Sequence, residues 1–234
     1  MGYQETVVLS LGGSLIVPNG GIDTQFLTNF SQFIRKQIAE KNRRFFVICG
    51  GGSTTRHYQQ AAMEVVHEPL SNEDKDWLGI HSTRLNAHLV RTVFRDIAYP
   101  RIFKHYDRDY DIADEPVIIC SGWKPGWSTD YCAVLVAQKH KGHKIFNLSN
   151  IDKVYNKDPK KFPDARPIDQ ISWSKFEGLV GSKWVPGLNA PFDPIATQLA
   201  KKLKLTVIIL NGKNIYNLEA AIDGKPFIGT TIAP

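Results

Sequence analysis

Thr6-Val7-Val8-Leu9-Ser10-Leu11-Gly12-Gly13-Ser14 is the stretch of sequence that decides the fold class. Its first six residues are mostly apolar, which is typical of a strand buried on both faces, and glycines follow directly. The same order recurs in Phe45-Phe46-Val47-Ile48-Cys49, followed by Gly50-Gly51-Gly52-Ser53. Between the two units, Asp23 can cap a helix with apolar positions at helical spacing. A strand, a helix and a strand in this order indicate parallel pairing.

The rest of the chain continues the alternation. Further strands are predicted at 117–120, 144–148 and 205–210, and further helices at 74–97, 130–140 and 193–203. The helix after the second glycine loop carries an apolar stripe, and the next helix is expected to turn an apolar set inward: Tyr58, Ala61, Ala62, Val65 and Val66 on the first, and Leu78, Leu85, Leu89, Val93 and Phe94 on the second. We therefore expect an α/β protein with a mostly parallel sheet covered on both faces.

Composition excludes several classes of protein. The chain has 234 residues, of which 42% are hydrophobic and 22% charged, values typical of a folded globular protein rather than a disordered one. Its apolar runs fall far short of the roughly 20 residues that span a bilayer, and we see no secretory signal. Three cysteines without a C-x-x-C pair argue against a disulfide framework or a zinc knuckle. We expect a soluble, cytoplasmic protein.

The formal net charge of +6 suggests an anionic partner. Nucleic acid, a membrane surface and a phosphorylated small molecule are all compatible with charge alone. The basic clusters lie in separate segments, which a solvated surface explains more simply than a nucleic-acid interface: Lys139-His140-Lys141, Lys160-Lys161 and Lys201-Lys202-x-Lys204. We therefore expect neither a nucleic-acid nor a membrane partner.

The two glycine clusters are the first candidates for a phosphate site. Glycines at the carboxyl end of a strand let backbone N–H groups approach a phosphate, and a following helix adds partial positive charge. A pair of tight turns is the alternative interpretation. The sequence has no G-x-x-x-x-G-K-[ST] and no G-x-G-x-x-G with an acidic residue about 20 positions further on, so neither the P-loop nor the dinucleotide-binding fold is predicted.

Two further loops follow predicted strands. Ser121–Asp130 combines glycines with Lys124, Trp123 and Trp127. The two indoles are expected either to stack on a base or to pack at a subunit interface. Asn147–Pro159 reads by itself as a strand end followed by a polar turn.

Seven motifs, taken in order, extend over nearly the whole chain. They are Leu11-Gly12-Gly13-Ser14-Leu15, Gly50-Gly51-Gly52-Ser53-x-x-Arg56-x-Tyr58, Asp76-x-x-Gly79-Ile80-x-x-Thr83-Arg84-x-Asn86-Ala87, Pro125-Gly126-x-Ser128-Thr129-Asp130, Asn150-Ile151-Asp152-x-Val154-Tyr155-x-x-Asp158-Pro159, Asp193-Pro194-x-Ala196 and Gly229-Thr230-Thr231-Ile232. Each motif alone is weak, but the ordered set resembles the amino acid kinase family, and within it the UMP kinases of the archaeal type.

This resemblance implies a three-layer α/β/α sandwich with a mainly parallel central sheet, formed by one domain over residues 1–234. The acceptor-binding part would cover about 1–140 and the ATP-binding part about 141–234. The implied reaction is ATP + UMP → ADP + UDP with Mg²⁺, in pyrimidine nucleotide biosynthesis. A homo-oligomer, usually a hexamer in UMP kinases, is also implied.

The resemblance also assigns site residues. The ATP-binding set would be Gly12, Gly13, Gly52, Arg56, Ser149, Tyr155 and Asp158. The UMP-binding set would be Gly51, Asp76, Gly122, Trp123, Lys124, Pro125, Gly126, Trp127, Ser128 and Thr129. The candidate catalytic residues are Arg56, Lys124 and Asp130, and no set of protein metal ligands is predicted.

The sequence departs from the family pattern at the first strand, where Ser10 stands in place of a lysine that most members have. Lys124 or Lys153 is the candidate replacement for that cation. Trp123 and Trp127 are bulkier than is usual in the acceptor loop, so they leave the acceptor's identity open.

Two alternative functions remain on the same fold. An isopentenyl phosphate kinase would place a histidine where this sequence has Arg56, and His57 lies one position too late, about 100° around a helix. A non-catalytic nucleotide- or oxyanion-storage protein would be compatible with Ser10.

Overall fold

A computed structural model of the protein describes residues 2–181 and 190–234. Nine strands occur in these residues: β1 (Glu5–Leu11), β2 (Arg43–Cys49), β3 (Val117–Cys120), β4 (Lys144–Ser149), β5 (Val154–Tyr155), β6 (Pro167–Ile168), β7 (Gln170–Ser172), β8 (Thr206–Asn211) and β9 (Thr230–Ala233). Seven of them form one sheet in the order β3-β2-β1-β4-β8-β9-β7, and β5 pairs with β6 separately.

The sheet is mainly parallel, as predicted. Strands β3, β2, β1, β4 and β8 all run in the same direction. Strand β9 is antiparallel to β8, and β7 is parallel to β9. The carboxyl ends of β3, β2, β1 and β4 therefore lie side by side at one edge of the sheet, where the loops that follow them meet.

Helices cover both faces of the sheet. The described residues contain α1 (Gly13–Ile16), α2 (Thr24–Lys41), α3 (Gly52–Val66), α4 (Asn72–Val93), α5 (Thr129–Lys139), α6 (Trp173–Val180), α7 (Pro194–Lys202) and α8 (Ile215–Ile222). Successive strand residues point to opposite faces, so Leu9 packs in a core with α1, α2, α4 and α8, whereas Val8 packs in a second core with α5, α6 and α7. The predicted three-layer α/β/α sandwich is confirmed.

Polar side chains cap the N-termini of several of these helices. The Asp23 carboxylate accepts the Phe26 N–H at 2.9 Å at the start of α2, as predicted. The Ser128 hydroxyl accepts the Tyr131 N–H at 3.1 Å and so caps α5. These bonds fix the direction in which each helix leaves its loop.

The stripe predicted on α3 does not face the core. Tyr58, Val65 and Val66 are 61%, 78% and 50% exposed, because α3 packs mainly against α1 and α4 rather than against the sheet. Helix α4 ends at Val93 instead of 97, and Leu85, which we expected to be buried, is 62% exposed. The helical spacing of apolar residues alone does not show which element a helix packs against.

Two other features of the fold differ from what the sequence suggests. The segment after β4, which the sequence suggests is a polar turn, is instead an excursion closed by the pairing of β5 with β6, since Val154 lies opposite Ile168. Strands β7 and β9 and helices α6 and α8 were not predicted, because each is only three to eight residues long. None of the helices within the described residues combines the length and the apolar character that a membrane crossing requires.

Candidate functional site

The candidate site starts from the two glycine loops, which extend the sheet by one hydrogen bond each. The Gly12 N–H donates to the Leu148 carbonyl at 2.9 Å, and the Gly50 N–H donates to the Leu11 carbonyl at 2.9 Å. The first loop is thereby held between β1 and β4, and the second between β2 and β1.

The two loops pack backbone against backbone. A Cβ atom added to Gly13 would lie 2.0 Å from the Gly52 nitrogen, and one added to Gly52 would lie 2.3 Å from the Gly13 carbonyl oxygen. Gly52 also has a φ of +67°, which side chains rarely tolerate. The glycines are thus required for close packing, and the same packing brings the starts of α1 and α3 together.

The start of α3 carries no negative charge of its own. Its N-cap residue, Gly51, makes no side-chain capping bond, and the first turn holds no acidic residue. The positive end of the helix dipole therefore has no carboxylate from its own first turn to offset it. Asn86 holds this loop from α4, since its amide donates to the carbonyls of Gly50 at 2.8 Å and Gly51 at 3.0 Å.

Arg56 lies one turn into α3 and is exposed. Its Nη2 donates to the Asn19 side-chain oxygen at 3.0 Å, and Asn19 belongs to the loop between α1 and α2. The guanidinium is therefore at the mouth of the paired glycine loops.

The loop that follows β3 is anchored on α4. We call residues 121–129 the tryptophan loop. Three bonds hold it: Gly122 N–H to Thr83 Oγ1 at 2.9 Å, Arg84 Nη2 to the Trp123 carbonyl at 3.0 Å, and Gly126 N–H to Asp76 Oδ2 at 2.6 Å. The structure thus brings Asp76 to the loop with which it was predicted to act. Thr83 and Arg84 were quoted in a motif but not assigned to the site; their place seven and eight residues after Asp76 on one helix was the available signal.

The two tryptophans pack within their own loop. Their ring centroids are 4.7 Å apart, and Trp127 also lies 4.3 Å from Tyr131 while Trp123 lies 5.7 Å from Tyr106. The Lys124 Nζ sits 4.3 Å from the Trp123 ring centroid and 4.6 Å from that of Trp127. The indoles therefore hold a lysine in a cation–π arrangement, which neither sequence interpretation anticipated.

Three other loop residues complete this side. Pro125 is half-buried, Ser128 caps α5, and Thr129 is the first residue of that helix. Asp130 comes next, and its carboxylate reaches Ser10 of β1 and Asn147 of β4, which are paired neighbours in the sheet.

Asp130 is the centre of a polar network. Its Oδ1 accepts the Ser10 hydroxyl at 3.0 Å and the Asn147 amide at 3.1 Å, and its Oδ2 accepts the Asp193 N–H at 3.2 Å. Ser10 and Asn147 are buried neighbours on β1 and β4. Ser10 stands at the position where the family pattern has a lysine. Its hydroxyl is hydrogen-bonded to the carboxylate of Asp130. Neither Asp193 nor Asn147 was assigned a role from sequence, although the Asp193-Pro194 motif and the loop Asn147–Pro159 contain them.

The environment of Asp130 favours its protonated form. Loss of solvent around the carboxyl group, and then the nearby Asp193 carboxylate, raise the pKa of Asp130 to about 7, although three hydrogen bonds oppose the shift. Burial likewise raises the pKa of Asp193. Asp130 therefore keeps its proton up to a pH near 7, whereas an exposed aspartate would release it at a much lower pH.

We expect a pH-dependent effect of Asp130→Asn on stability. The native carboxyl binds a proton between its usual pKa of 3.8 and about 7, whereas the unfolded chain has released it, so this group destabilises the wild type as pH rises through that range. The slope is at most about 1.4 kcal/mol per pH unit. The variant cannot titrate, so its free energy of unfolding relative to wild type should increase from pH 5 to pH 8 in urea titrations. Asp111→Asn, at an exposed position, is the control; a pH-independent difference for Asp130→Asn would contradict the assignment.

The remaining residues predicted to hold ATP lie at the end of β4 and in the segment after it. Ser149 ends β4 and accepts the Gly212 N–H through its carbonyl at 2.9 Å, and Tyr155 lies on β5. Asp158 is exposed, and its side chain accepts the Lys160 N–H at 3.0 Å in the turn that follows. Lys153, a candidate replacement for the first-strand lysine, is ion-paired with Asp169, so a carboxylate already neutralises its positive charge.

Residues 5–211 match the sequence profile of the amino acid kinase family, and the chain belongs to this family. Curated relatives extend over nearly its whole length. A uridylate kinase from Staphylothermus marinus is 32% identical over 99% of this chain and 100% of the relative, and one from Thermococcus sibiricus is 31% identical over 97% and 99%.

Solved structures agree with the fold. A uridylate kinase from Archaeoglobus fulgidus superimposes with a TM-score of 0.80 at 29% identity, covering 97% of this chain and 99% of that one. A UMP kinase from Bacillus anthracis has a TM-score of 0.73 at 18% identity and supports the fold alone.

Proposed function

We propose that this protein is a UMP kinase, which transfers the γ-phosphoryl group of ATP to UMP and yields ADP and UDP. One observation carries the proposal. The strand order β3-β2-β1-β4 lays four loops in a row: the tryptophan loop, Gly50–Gly52, Gly12–Gly13 and the segment from Ser149 to Asp158. An acceptor, two phosphate-binding loops and a donor nucleoside would then lie in line. The similarity to uridylate kinases from archaea supports UMP as the acceptor.

The spacing suits in-line transfer between two nucleotides. Neighbouring strands lie about 4.8 Å apart, so the loops after β3 and β4 are about 14 Å apart across three spacings. The acceptor phosphate would enter between the tryptophan loop and Gly51, and the ATP phosphates would lie along Gly12, Gly13 and Gly52. Such a reaction requires positioning and electrostatic stabilisation more than covalent chemistry from the protein.

The proposed roles follow from this placement. Asp76 would accept ribose hydroxyls of UMP through the oxygen that Gly126 leaves free, and residues 122–129 would enclose the nucleotide. Arg56 would bind phosphate oxygens from the mouth of the glycine loops. Lys124 would offer a cation from the tryptophan loop, since its ammonium group is held by the indoles and not by a carboxylate. Asp130 would position Ser10 and Asn147 beneath the phosphates.

Magnesium would arrive with ATP. Within the described residues, no cluster of three or more His, Cys, Asp or Glu side chains could form a metal cage. Asp130 already accepts three hydrogen bonds, so it is a poor direct ligand. Mg²⁺ is commonly held by phosphate oxygens, waters and one or two carboxylates, and it would neutralise charge on the transferring group.

An assay of ADP release tests this function. The protein is incubated with ATP and Mg²⁺ against UMP, CMP, dUMP and isopentenyl phosphate, and ADP is measured by a coupled reaction. We expect the highest turnover with UMP. Preferential turnover of isopentenyl phosphate would replace the proposed acceptor, and ATP binding without turnover of any acceptor would favour a storage or regulatory role.

We also propose a homo-oligomer, as a hexamer, in which α3 and α4 contribute to a contact between subunits. Large apolar side chains are exposed on these neighbouring helices: Tyr58, Val65, Val66, Trp77 and Leu85. Val65 belongs to the apolar stripe of α3, and yet its side chain is 78% exposed. Exposed apolar patches of this kind mark interaction surfaces.

Val65→Glu is expected to lower the oligomer's mass, because a charge would have to be buried in the contact. The measurement is light scattering coupled to size-exclusion chromatography. Tyr216→Glu, at a side chain 86% exposed on α8, is the matched control and should leave the mass unchanged. A wild-type protein that elutes as a monomer would rule out the proposed contact.

A further inference from the structure

The Lys124 side chain rests against the two indoles of the tryptophan loop. Its Nζ lies 4.3 Å from the ring centroid of Trp123 and 4.6 Å from that of Trp127, and the two rings meet edge to face at 82°. Among the described residues, Lys124 forms no ion pair with a carboxylate. Two aromatic rings, rather than an acid, therefore hold the ammonium group.

The indoles are supported from behind. Trp123 packs against the core formed with α5, α6 and α7, and its carbonyl accepts the Arg84 Nη2 at 3.0 Å. Trp127 packs on Tyr131, with ring centroids 4.3 Å apart. Both indoles are half-buried, so part of each ring stays accessible. A flat ligand on the accessible side would meet rings that are already fixed, which lowers the entropy cost of binding.

The Lys124 ammonium group is easily displaced from these rings. The side chain is exposed, and a cation–π contact at an exposed site is weak. A nucleobase stacked on an aromatic ring is held more strongly. Because Pro125 follows, the Lys124 backbone is restricted to extended conformations, so the ammonium group leaves by rotations of its own side chain. A base that reaches the indoles would therefore win the competition for them.

An acceptor nucleotide can reach the indoles through Asp76. The Asp76 Oδ2 accepts the Gly126 N–H at 2.6 Å, and Gly126 directly precedes Trp127. If Asp76 holds the ribose of the acceptor, the base on that ribose lies beside the indoles. The acceptor phosphate would then lie towards Gly51, where a released ammonium group finds an anion.

We propose that Trp123 and Trp127 exchange Lys124 for the base of the acceptor, and that the released ammonium group binds the acceptor phosphate. This inference rests on the proposed function for the place of the acceptor. The two tryptophans then determine specificity, because a base-free phosphate ester would have to draw the lysine away and leave the rings bare. Every base has a π-face, so the exchange selects nucleoside monophosphates as a class and does not itself choose among bases.

Calorimetric titration with uridine tests the exchange separately from phosphoryl transfer, since uridine has the base and ribose but no phosphate. Lys124→Ala removes the competitor for the rings. We expect this variant to bind uridine about two- to fivefold more tightly than wild type, the factor that corresponds to an exposed cation–π contact. Its kcat with UMP should nevertheless fall by about tenfold or more, because the phosphate loses a cation. Lys41→Ala, at an exposed lysine that ends α2, is the matched control and should bind uridine like wild type.

A second comparison removes the rings. Ribose 5-phosphate has the ribose and phosphate of UMP but no base. The preference for UMP over ribose 5-phosphate, as a ratio of kcat/KM values, should shrink by about tenfold or more in Trp123→Leu/Trp127→Leu. Trp123→Phe/Trp127→Phe keeps two π-faces and should restore part of the preference. Circular dichroism verifies that every variant is folded.

The other outcomes decide against the proposal. Unchanged or weaker uridine binding by Lys124→Ala would overturn it, because the lysine would then not compete with the base. Equal losses for UMP and ribose 5-phosphate in the tryptophan variants would leave the indoles a structural role alone. Absence of uridine binding to wild type would also overturn the exchange, while the ADP-release assay would still decide whether UMP is phosphorylated. Tighter uridine binding by Lys124→Ala in a protein that does not phosphorylate UMP would support the exchange and reject the proposed function.

Discussion

Gly13→Ala is expected to destabilise the protein by about 3 kcal/mol or more and to abolish nucleotide binding. The added Cβ would lie 2.0 Å from the Gly52 nitrogen and 2.6 Å from the Gly50 carbonyl carbon. Both atoms belong to backbone that is fixed by the sheet and by Asn86, so no flexible side chain can move aside. The two glycine loops would have to separate, and the starts of α1 and α3 would no longer converge.

The measurements are urea unfolding and ATP binding by calorimetry. Gly20→Ala is the matched control, since an added Cβ there has no neighbour within 4 Å and its stability should change by less than about 0.5 kcal/mol. Should the Gly13 variant unfold and bind ATP like wild type, the close packing of the two loops would be refuted.

Arg56→Ala is expected to lower kcat with UMP by about 10²- to 10³-fold, the usual cost of losing one donor that stabilises the transition state. The only hydrogen bond of its guanidinium within the described residues is the one to Asn19, so it is free to fork onto phosphate oxygens. Because Ser10 supplies no charge, Arg56 carries more of the electrostatic burden than it would beside a lysine in the first strand.

Steady-state kinetics at varied ATP and UMP measure this effect. His57→Ala removes the next side chain of α3, which projects about 100° away, and should leave kcat within about twofold of wild type. Arg56→Lys keeps the charge but not the fork, so it should recover part of the loss. A full effect at His57 with none at Arg56 would favour the isopentenyl phosphate kinase interpretation.

The sequence predicted the parallel core of the fold well, for a physical reason. Strands β1, β2, β3, β4 and β8 are predominantly apolar rather than alternating, and burial on both faces of a sheet explains this pattern. Helix orientation was harder to predict, because α3 has an apolar stripe and yet packs on α4. Its exposed Val65 shows that an amphipathic pattern identifies a face without identifying what covers that face.

The candidate site likewise has parts that the sequence predicted and parts that only the structure shows. The glycine loops and the tryptophan loop were recognised as candidates because each follows a strand, and strand ends meet at one edge. The Asp76–Gly126 bond and the Trp123–Lys124–Trp127 arrangement depend on distances between separate segments, which spacing along the chain does not encode. The network from Asp130 to Asp193 joins residues 63 positions apart and was visible only in the structure.

The most direct test of the central claim follows the phosphoryl group itself. The protein is incubated with Mg²⁺, UMP and ATP labelled in the γ-phosphate, and the products are separated. The proposed function predicts that the label appears in UDP, with one ADP formed for each UDP. Label that stays in ATP, or that is released as inorganic phosphate without labelled UDP, would contradict it.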